Sequence, residues 1–272
     1  MRISAISYLN TAPLMWDFEH GRAQSEFEIT YTVPSQCAAE LACGSADIGI
    51  VPSAAYAGIS DLSILPGIAI AAKRAVRSIV LISRKPIEEI RSVALDSSSL
   101  TSVALTRILF EKHWRSKPVF SSHPPALENM LAANDAALLI GDPALKVNRT
   151  NYQTWDLAEE WIRFTNKPFV FAFWAVRRQA LKSTSLELAS IFQRSRDHGL
   201  EAKNLSEIAR VWAPKVQLSE PDISDYLRSS IYYYLDDACL EGLRLFYGLA
   251  ADCNVLPHAR ELHFVSPKPA LI

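Results

Sequence analysis

The sequence predicts two α/β domains with mainly parallel central sheets, joined by two crossover strands, with a ligand cleft between the domains. Three observations lead there. Short β-branched runs alternate with helical patterns through the first half of the chain, the mark of βαβ units. A second such series begins beyond residues 62–70, and an apolar run at 168–176 reads as a strand returning to the first domain. The expected division is 1–82 plus 175–272 for the first α/β domain with C-terminal helices, and 83–174 for the second. A chain that leaves a domain and returns has two links, which permits hinge closure on a ligand. Residues 78–83 and 169–174 are the candidate crossovers.

Taken in order, Arg2–Ile6 is a strand, followed after Asn10 and Thr11 by a helix over 13–19. Residues 27–33 are a second strand, and Pro34-Ser35 opens a helix reaching Gly44, with Ala38, Leu41 and Ala42 as its apolar stripe. Residues 47–51 are a third strand, and Pro52-Ser53 starts a short helix carrying Tyr56. In the second series, 76–83 and 93–96 are strands, and Leu100, Val103, Ala104, Ile108 and Leu109 give a helical stripe. Then come a strand at 118–121, a helix from Pro124 or Pro125 through Leu127, Met130 and Leu131, and a buried strand at 136–140 ending in Gly141-Asp142. Beyond Arg178 the pattern is helical at 181–198, 205–212, 219–235 and 237–251, punctuated by Pro214, Pro221 and Pro257.

Composition excludes several function classes. The chain has 272 residues, 49% hydrophobic and 21% charged, the proportions of a globular protein. Lys+Arg number 28 against Asp+Glu 29, so no overall attraction to nucleic acid or an anionic membrane exists, and a small-molecule partner is expected. The four cysteines, Cys37, Cys43, Cys239 and Cys253, lack metal or redox spacing and read as free thiols. No apolar stretch reaches a membrane span, and the start of the chain predicts no export signal, hence a cytoplasmic protein. His20, His113, His123, His198, His258 and His263 fall mostly on exposed faces or loops without ligand spacing, so neither a metal nor a catalytic histidine is expected. Dinucleotide, phosphate-loop and nucleophile-elbow motifs are missing, and no cofactor is expected. Monomer and homodimer are both open.

Ligands of open α/β sheets bind beyond the carboxyl ends of strands, where helix N-termini present N–H groups. There the chain places Ser7-Tyr8-Leu9-Asn10-Thr11, Pro34-Ser35, Pro52-Ser53, Asp96-Ser97-Ser98-Ser99-Leu100-Thr101-Ser102 and Gly141-Asp142, with Arg77-Ser78 on the crossover. Hydroxyls and backbone donors dominate, a set that holds carboxylates without a buried cation. One serine before a helix is explained by capping. Four serines and a threonine between Ser97 and Ser102 exceed what one cap needs and point to ligand contact. On spacing alone Asn10 is equally a cap or a contact, and Asp142 is a cap by default. Phe164, Phe169, Phe171, Phe173 and Trp174 read first as core and second as a ring wall for the ligand.

Several of these segments resemble one family. Ser7-Tyr8-Leu9-Asn10-Thr11-Ala12-Pro13-Leu14, Val51-Pro52-Ser53, Val76-Arg77-Ser78, Leu95-Asp96-Ser97-Ser98-Ser99, Thr101-Ser102, Ile140-Gly141-Asp142 and Pro168-Phe169-Val170-Phe171-Ala172 are similar to the chorismate dehydratase family of the futalosine route to menaquinone. The motifs occur in order over the first two-thirds of the chain. Departures fall at Ala71-Ala72-Lys73-Arg74-Ala75 and Thr165-Asn166-Lys167-Pro168. The resemblance implies a periplasmic-binding-protein-like fold of type II and conversion of chorismate to 3-[(1-carboxyvinyl)oxy]benzoate with loss of water. A sister family makes 1,4-dihydroxy-6-naphthoate, but its first loop reads Ser-Pro-Cys-Pro-Asn-Asp-Thr, unlike this one. A non-catalytic solute-binding protein is the other alternative.

Under that resemblance Asn10 and Ser78 are the catalytic candidates, with Asp142 as a rival acid–base group. Ser97, Ser98, Thr101 and Ser102 would grip one carboxylate, and Ser53 and Ser78 would contact the other end of the substrate. Tyr8, Ser35, Gly141 and Asp142 complete the expected binding set. With few bases available, the enolpyruvyl carboxylate of the substrate is expected to take the proton itself.

Overall fold

The apolar runs form strands in the computed structural model, which describes residues 1–21, 26–184, 186–256 and 261–266. The strands are β1 (Arg2–Ile6), β2 (Glu28–Thr32), β3 (Ile48–Pro52), β4 (Leu62–Ala72), β5 (Ile79–Ser83), β6 (Ser92–Asp96), β7 (Val119–His123), β8 (Ala136–Ile140), β9 (Gln153–Asp156) and β10 (Phe169–Arg177). The helices are α1 (Trp16–His20), α2 (Pro34–Cys43), α3 (Ser53–Tyr56), α4 (Thr101–Ile108), α5 (Leu127–Ala133), α6 (Gly141–Leu145), α7 (Leu157–Thr165), α8 (Arg178–Lys182), α9 (Leu188–Gly199), α10 (Ala202–Val216), α11 (Glu220–Asp225) and α12 (Asp237–Asp252).

Among the described residues the strands make two five-stranded sheets, ordered β2-β1-β3-β10-β4 and β7-β6-β8-β5-β9. The two orders are equivalent. In each, three neighbouring strands are parallel, the fourth runs against them, and the outermost pairs antiparallel to the fourth. Four of five strands thus share a direction, and the strand that opposes them is β10 or β5.

Those two strands correct the expected crossovers. Residues 79–83 lie wholly in the second sheet and 169–174 wholly in the first, so neither segment bridges the halves. The reason is burial: β5 is buried throughout and β10 is buried at every position but Arg177, as central strands are. The links are the short stretches 73–78 and 166–168, which coincide with the departures from the family pattern.

Both links are held by specific bonds. Arg77 adopts φ 65°, unusual outside glycine. Its N–H and that of Val76 donate to the Asp156 carboxylate at 2.6 and 3.1 Å, and Arg149 Nη2 donates to the Arg77 carbonyl at 2.5 Å. Asp156 also caps α7, accepting the N–H groups of Ala158 and Glu159. At the second link Asn166 ends α7 at φ 55°, and Trp161 Nε1 donates to the Pro168 carbonyl at 3.2 Å.

Other differences have local causes. The helix expected over 13–19 is a 3₁₀ segment, Leu9–Met15, followed by α1; Pro13 in its middle has no N–H for an α-helical ladder. The helix expected over 181–198 breaks between α8 and α9, where Thr184 Oγ1 accepts the Leu186 N–H. The pattern at 219–235 is α11, an irregular turn at Tyr226–Ser230, and an extended stretch in which Tyr232 bridges Ala71 of β4. Both β9 and α7 had no counterpart in the sequence reading.

The main core takes in residues of both sheets, with Trp161, Trp174, Phe169, Phe173 and Phe192 fully buried, and a second, smaller cluster around Val80, Ile82, Met130 and Leu139 packs separately in the second half. Two of the four cysteines, Cys37 and Cys239, are buried, Cys43 is exposed and Cys253 lies between, all as free thiols. No helix of the described residues is long and apolar enough to cross a membrane, and His258 lies outside the described residues.

Candidate functional site

The first loop is shaped by α9. Ser195 Oγ donates to the Leu14 carbonyl at 2.8 Å and accepts the Asp17 N–H at 3.0 Å. Gly199 packs so closely on Pro13 that a Cβ there would stand 1.9 Å from the Pro13 carbonyl oxygen. Held from behind, the Leu9–Met15 segment turns Tyr8 and Asn10 into a cavity between the halves.

That cavity measures about 50 Å³. From the first half it is lined by Ile6, Tyr8, Asn10, Pro34, Pro52, Ile70, Phe171 and Ala172; from the second come Ile79, Ser99, Thr101, Ser102, Ile140 and Gly141. Among the described residues, no lysine or arginine lines it. Phe171 supplies the ring wall, while its neighbours Phe169 and Phe173 pack against Phe246 and Tyr56. Irregular pairing with β4 between Val170 and Ala172 and between Phe173 and Ala175 interrupts the regular alternation of β10.

Three hydrogen bonds stitch the cleft shut. The Leu9 N–H donates to Asp142 Oδ1 at 3.1 Å, the Ser35 N–H to the Ser98 carbonyl at 3.2 Å, and the Ala54 N–H to Thr101 Oγ1 at 3.1 Å. Tyr8 Oη and Ser98 Oγ add a fourth contact at 3.4 Å. Helix starts of the first half, expected to face a ligand, are thus satisfied by polar groups of the second.

Asp142 is therefore a bridge between the halves: its side chain makes no capping bond to α6. Burial raises its carboxyl to about 6, against the lowering influence of the Leu9 N–H and Lys146. Gly141, at φ 62°, lies under the Tyr8 ring, where a Cβ would come within 2.9 Å of ring carbons. Asp96 shapes the serine-rich turn from below. It is fully buried and accepts the Ser98 N–H and Oγ–H at 2.9 and 2.6 Å and the Ile140 N–H at 3.3 Å.

The predicted residues divide as follows. Tyr8, Asn10, Thr101, Ser102 and Gly141 line the cavity, and Ser35, Ser98 and Asp142 join the halves across the cleft. Ser78 is fully buried next to the cavity-lining Ile79, its Oγ accepting the Tyr226 hydroxyl proton at 2.8 Å. Ser78 is not among the residues lining the cavity, and two further predicted residues are bonded elsewhere. Ser53 Oγ turns inward to donate to the Val170 carbonyl at 2.7 Å, tying the end of β3 to β10. Ser97 is exposed, its N–H bonded to the His123 carbonyl beside β7.

Sequence reasoning counted Ser99 in the serine-rich run without naming it in the binding set, and missed Tyr226. Ser99 lines the cavity and its Oγ accepts the Ser102 N–H at 3.1 Å. Tyr226 belongs to the apolar stripe Ile223, Tyr226, Leu227, whose one hydroxyl, once buried, needs a partner. That need was the available signal.

A larger hollow lies elsewhere, a groove of about 580 Å³ beside Leu100, Val103, Arg107, Phe110 and Val255. It is larger than the cleft cavity but sits away from the strand ends and gathers few hydroxyls. Location and convergent polar groups make the cleft the candidate site.

The comparisons with known proteins fit this geometry. The family described as menaquinone biosynthesis matches residues 1–252. A chorismate dehydratase of Thermus thermophilus is 30% identical over 257 residues, covering 88% of this chain and 91% of that protein. Among solved structures, a protein of Archaeoglobus fulgidus superposes with a TM-score of 0.75 at 16% identity, covering 94% of this chain and 98% of the other. The alkanesulfonate-binding protein of Xanthomonas axonopodis bound to MOPS gives 0.66 at 16% identity with 96% of each chain covered. A Candida albicans protein described as having the generic periplasmic-binding-protein fold gives 0.65 at 10% identity, over 100% of this chain and 99% of that one. These likenesses establish the fold expected from the sequence.

Proposed function

Because this chain belongs to the menaquinone biosynthesis family, we propose that it is a hydro-lyase converting chorismate to 3-[(1-carboxyvinyl)oxy]benzoate in the futalosine route, in the cytoplasm. The carrying observation is the cleft cavity, where Asn10 and the Ser99, Thr101 and Ser102 hydroxyls converge with no cationic side chain among the described residues. Such a set orients a dicarboxylate through hydrogen bonds while leaving the substrate's own carboxylates basic.

In the reaction the C–H bond at the ether-bearing ring carbon breaks and its proton passes to the enolpyruvyl carboxylate. The electron pair forms a ring double bond as the bond to the neighbouring hydroxyl breaks. The departing hydroxide takes up the carboxylic proton and leaves as water, and the ring becomes aromatic. Asn10 and the Ser78 hydroxyl stabilise the leaving oxygen, and the α4 turn holds a carboxylate. Asp142, bonded to the Leu9 N–H, serves closure rather than proton transfer. A cavity of about 50 Å³ is far below the several hundred Å³ typical of small-molecule sites, so the halves part to admit substrate.

Incubating the protein with chorismate and following product by chromatography and mass spectrometry tests this reading. Protein-dependent formation of 3-[(1-carboxyvinyl)oxy]benzoate supports it. The fold likeness to binding proteins favours one rival, a carboxylate-binding protein. That rival predicts saturable chorismate binding with the ligand recovered unchanged.

A further inference from the structure

Tyr226 reaches the catalytic candidates from the C-terminal helical part of the chain. It opens the irregular turn Tyr226–Ser230 after α11 and is only 1% exposed. Its hydroxyl donates to Ser78 Oγ at 2.8 Å and interacts with the Asn10 side chain. Thr11 Oγ1 donates to Asn10 Oδ1 at 3.4 Å, which places Asn10 in the same polar cluster.

A serine oxygen that accepts one proton has its own proton to give elsewhere. The Ser78 carbonyl is already occupied by the Gly141 N–H at 2.7 Å, which fixes the backbone carrying that hydroxyl. The pair is also anchored one residue earlier on both sides, where Arg77 Nη1 meets Asp225 Oδ2 at 2.9 Å. A buried hydrogen bond of this kind polarises the serine hydroxyl and strengthens it as a donor.

We infer that Tyr226 is a positioning residue for the proposed dehydration, holding Ser78 as a hydrogen-bond donor toward the departing hydroxyl. The inference rests on the dehydratase reading above. Tyr226 transfers no proton. Burial pushes its phenol well above the usual tyrosine range, so it stays a donor throughout the working pH range.

The test compares Tyr226→Phe, Ser78→Ala and the double variant on chorismate, with thermal midpoints measured alongside. Phenylalanine keeps the ring in place. Tyr226→Phe is expected to lower kcat about 10- to 100-fold with KM changed less than about threefold. In the Ser78→Ala background the same change is expected to cost no more than about twofold, because the two residues act through one interaction. A Tyr226→Phe variant with kcat within about twofold of the parent, whatever its midpoint, overturns the inference and makes the tyrosine a structural group. Fully additive losses in the double variant also overturn it. The parent is assayed first, so a parent that forms no product overturns the dehydratase reading itself and is distinguished from either result.

Discussion

The two halves share one strand order yet meet with opposite hydrogen-bonding character. At the cleft the first half offers backbone N–H groups, those of Leu9, Ser35 and Ala54, and the second offers the Asp142 carboxylate, the Ser98 carbonyl and the Thr101 hydroxyl as acceptors. Turn chemistry decides which. In the first half Pro34 starts α2 and Pro52 immediately precedes α3, leaving the N–H groups just beyond them outside any intrahelical ladder. In the second half the turn folds back on Asp96, which takes up its own N–H groups and leaves oxygens facing the cleft. Equivalent topology thus yields a donor face and an acceptor face, and an anion entering the cleft competes with the acceptor face for the donors.

The comparison breaks most sharply at Asn10. Asn10→Ala is expected to reduce kcat about 10²- to 10³-fold with a smaller change in KM, the signature of a lost transition-state contact. A change confined to KM in steady-state kinetics would reduce Asn10 to one more member of the donor face.

The acceptor face is sharpened by pH. The folded structure raises the Asp142 carboxyl from 3.8 to about 6, so it binds the proton more tightly than the unfolded chain does. Stability from this source is complete below pH 3.8 and is lost as pH rises through about 6, where the buried carboxyl ionises. Asp142→Asn keeps an acceptor for Leu9 without the charge. Its stability, followed by the thermal midpoint, is expected to gain on the parent as pH rises from 4 to 7, by at most about 3 kcal/mol before solvent screening. A gap that does not vary with pH would show that the Asp142 carboxyl is not buried in the closed cleft.

Two smaller changes probe the seam. Gly141→Ala places a Cβ against Tyr8 at a left-handed backbone, costing about 1–3 kcal/mol in the closed form. The expected result is a roughly tenfold or greater loss of kcat/KM with little change in far-ultraviolet dichroism. Thr101→Val leaves the Ala54 N–H without its acceptor, about 1–3 kcal/mol where the group stays buried, which opening relieves. Small-angle scattering of the unliganded protein is expected to show a larger radius of gyration. An unchanged radius would show that this bond does not hold the cleft.

Much of the architecture is legible in the sequence, for identifiable reasons. β1, β6 and β8 are short apolar runs bounded by turn residues, and the structure puts them within a residue of the expected limits. The cleft loops are legible because they follow strands. The direction each side chain takes is not: a serine after Pro52 could cap a helix, meet a ligand or bond a neighbouring strand, and only the position of Val170 decides for Ser53. β9 escaped because it is four residues of a partly exposed edge. Tyr226 escaped because its partner Ser78 lies far away in sequence, and helical periodicity accounts for its burial without naming what its hydroxyl meets.

The interleaving of β10 bears on synthesis. Every strand of the second sheet lies between Ile79 and Asp156, so that sheet has all its members as soon as that stretch leaves the ribosome. The long apolar β4 has no such neighbour at hand. Among the described residues it pairs with β10 and touches Tyr232 and Phe264 through isolated bridges, all of them made later. While the second half is translated, Leu62–Ala72 stands with its main-chain edge uncovered, the condition under which nascent chains associate wrongly. The emergence of Phe169–Arg177 ends that interval, so slowed translation between the two strands lengthens the window for aggregation and makes this stretch a natural client for a ribosome-bound chaperone.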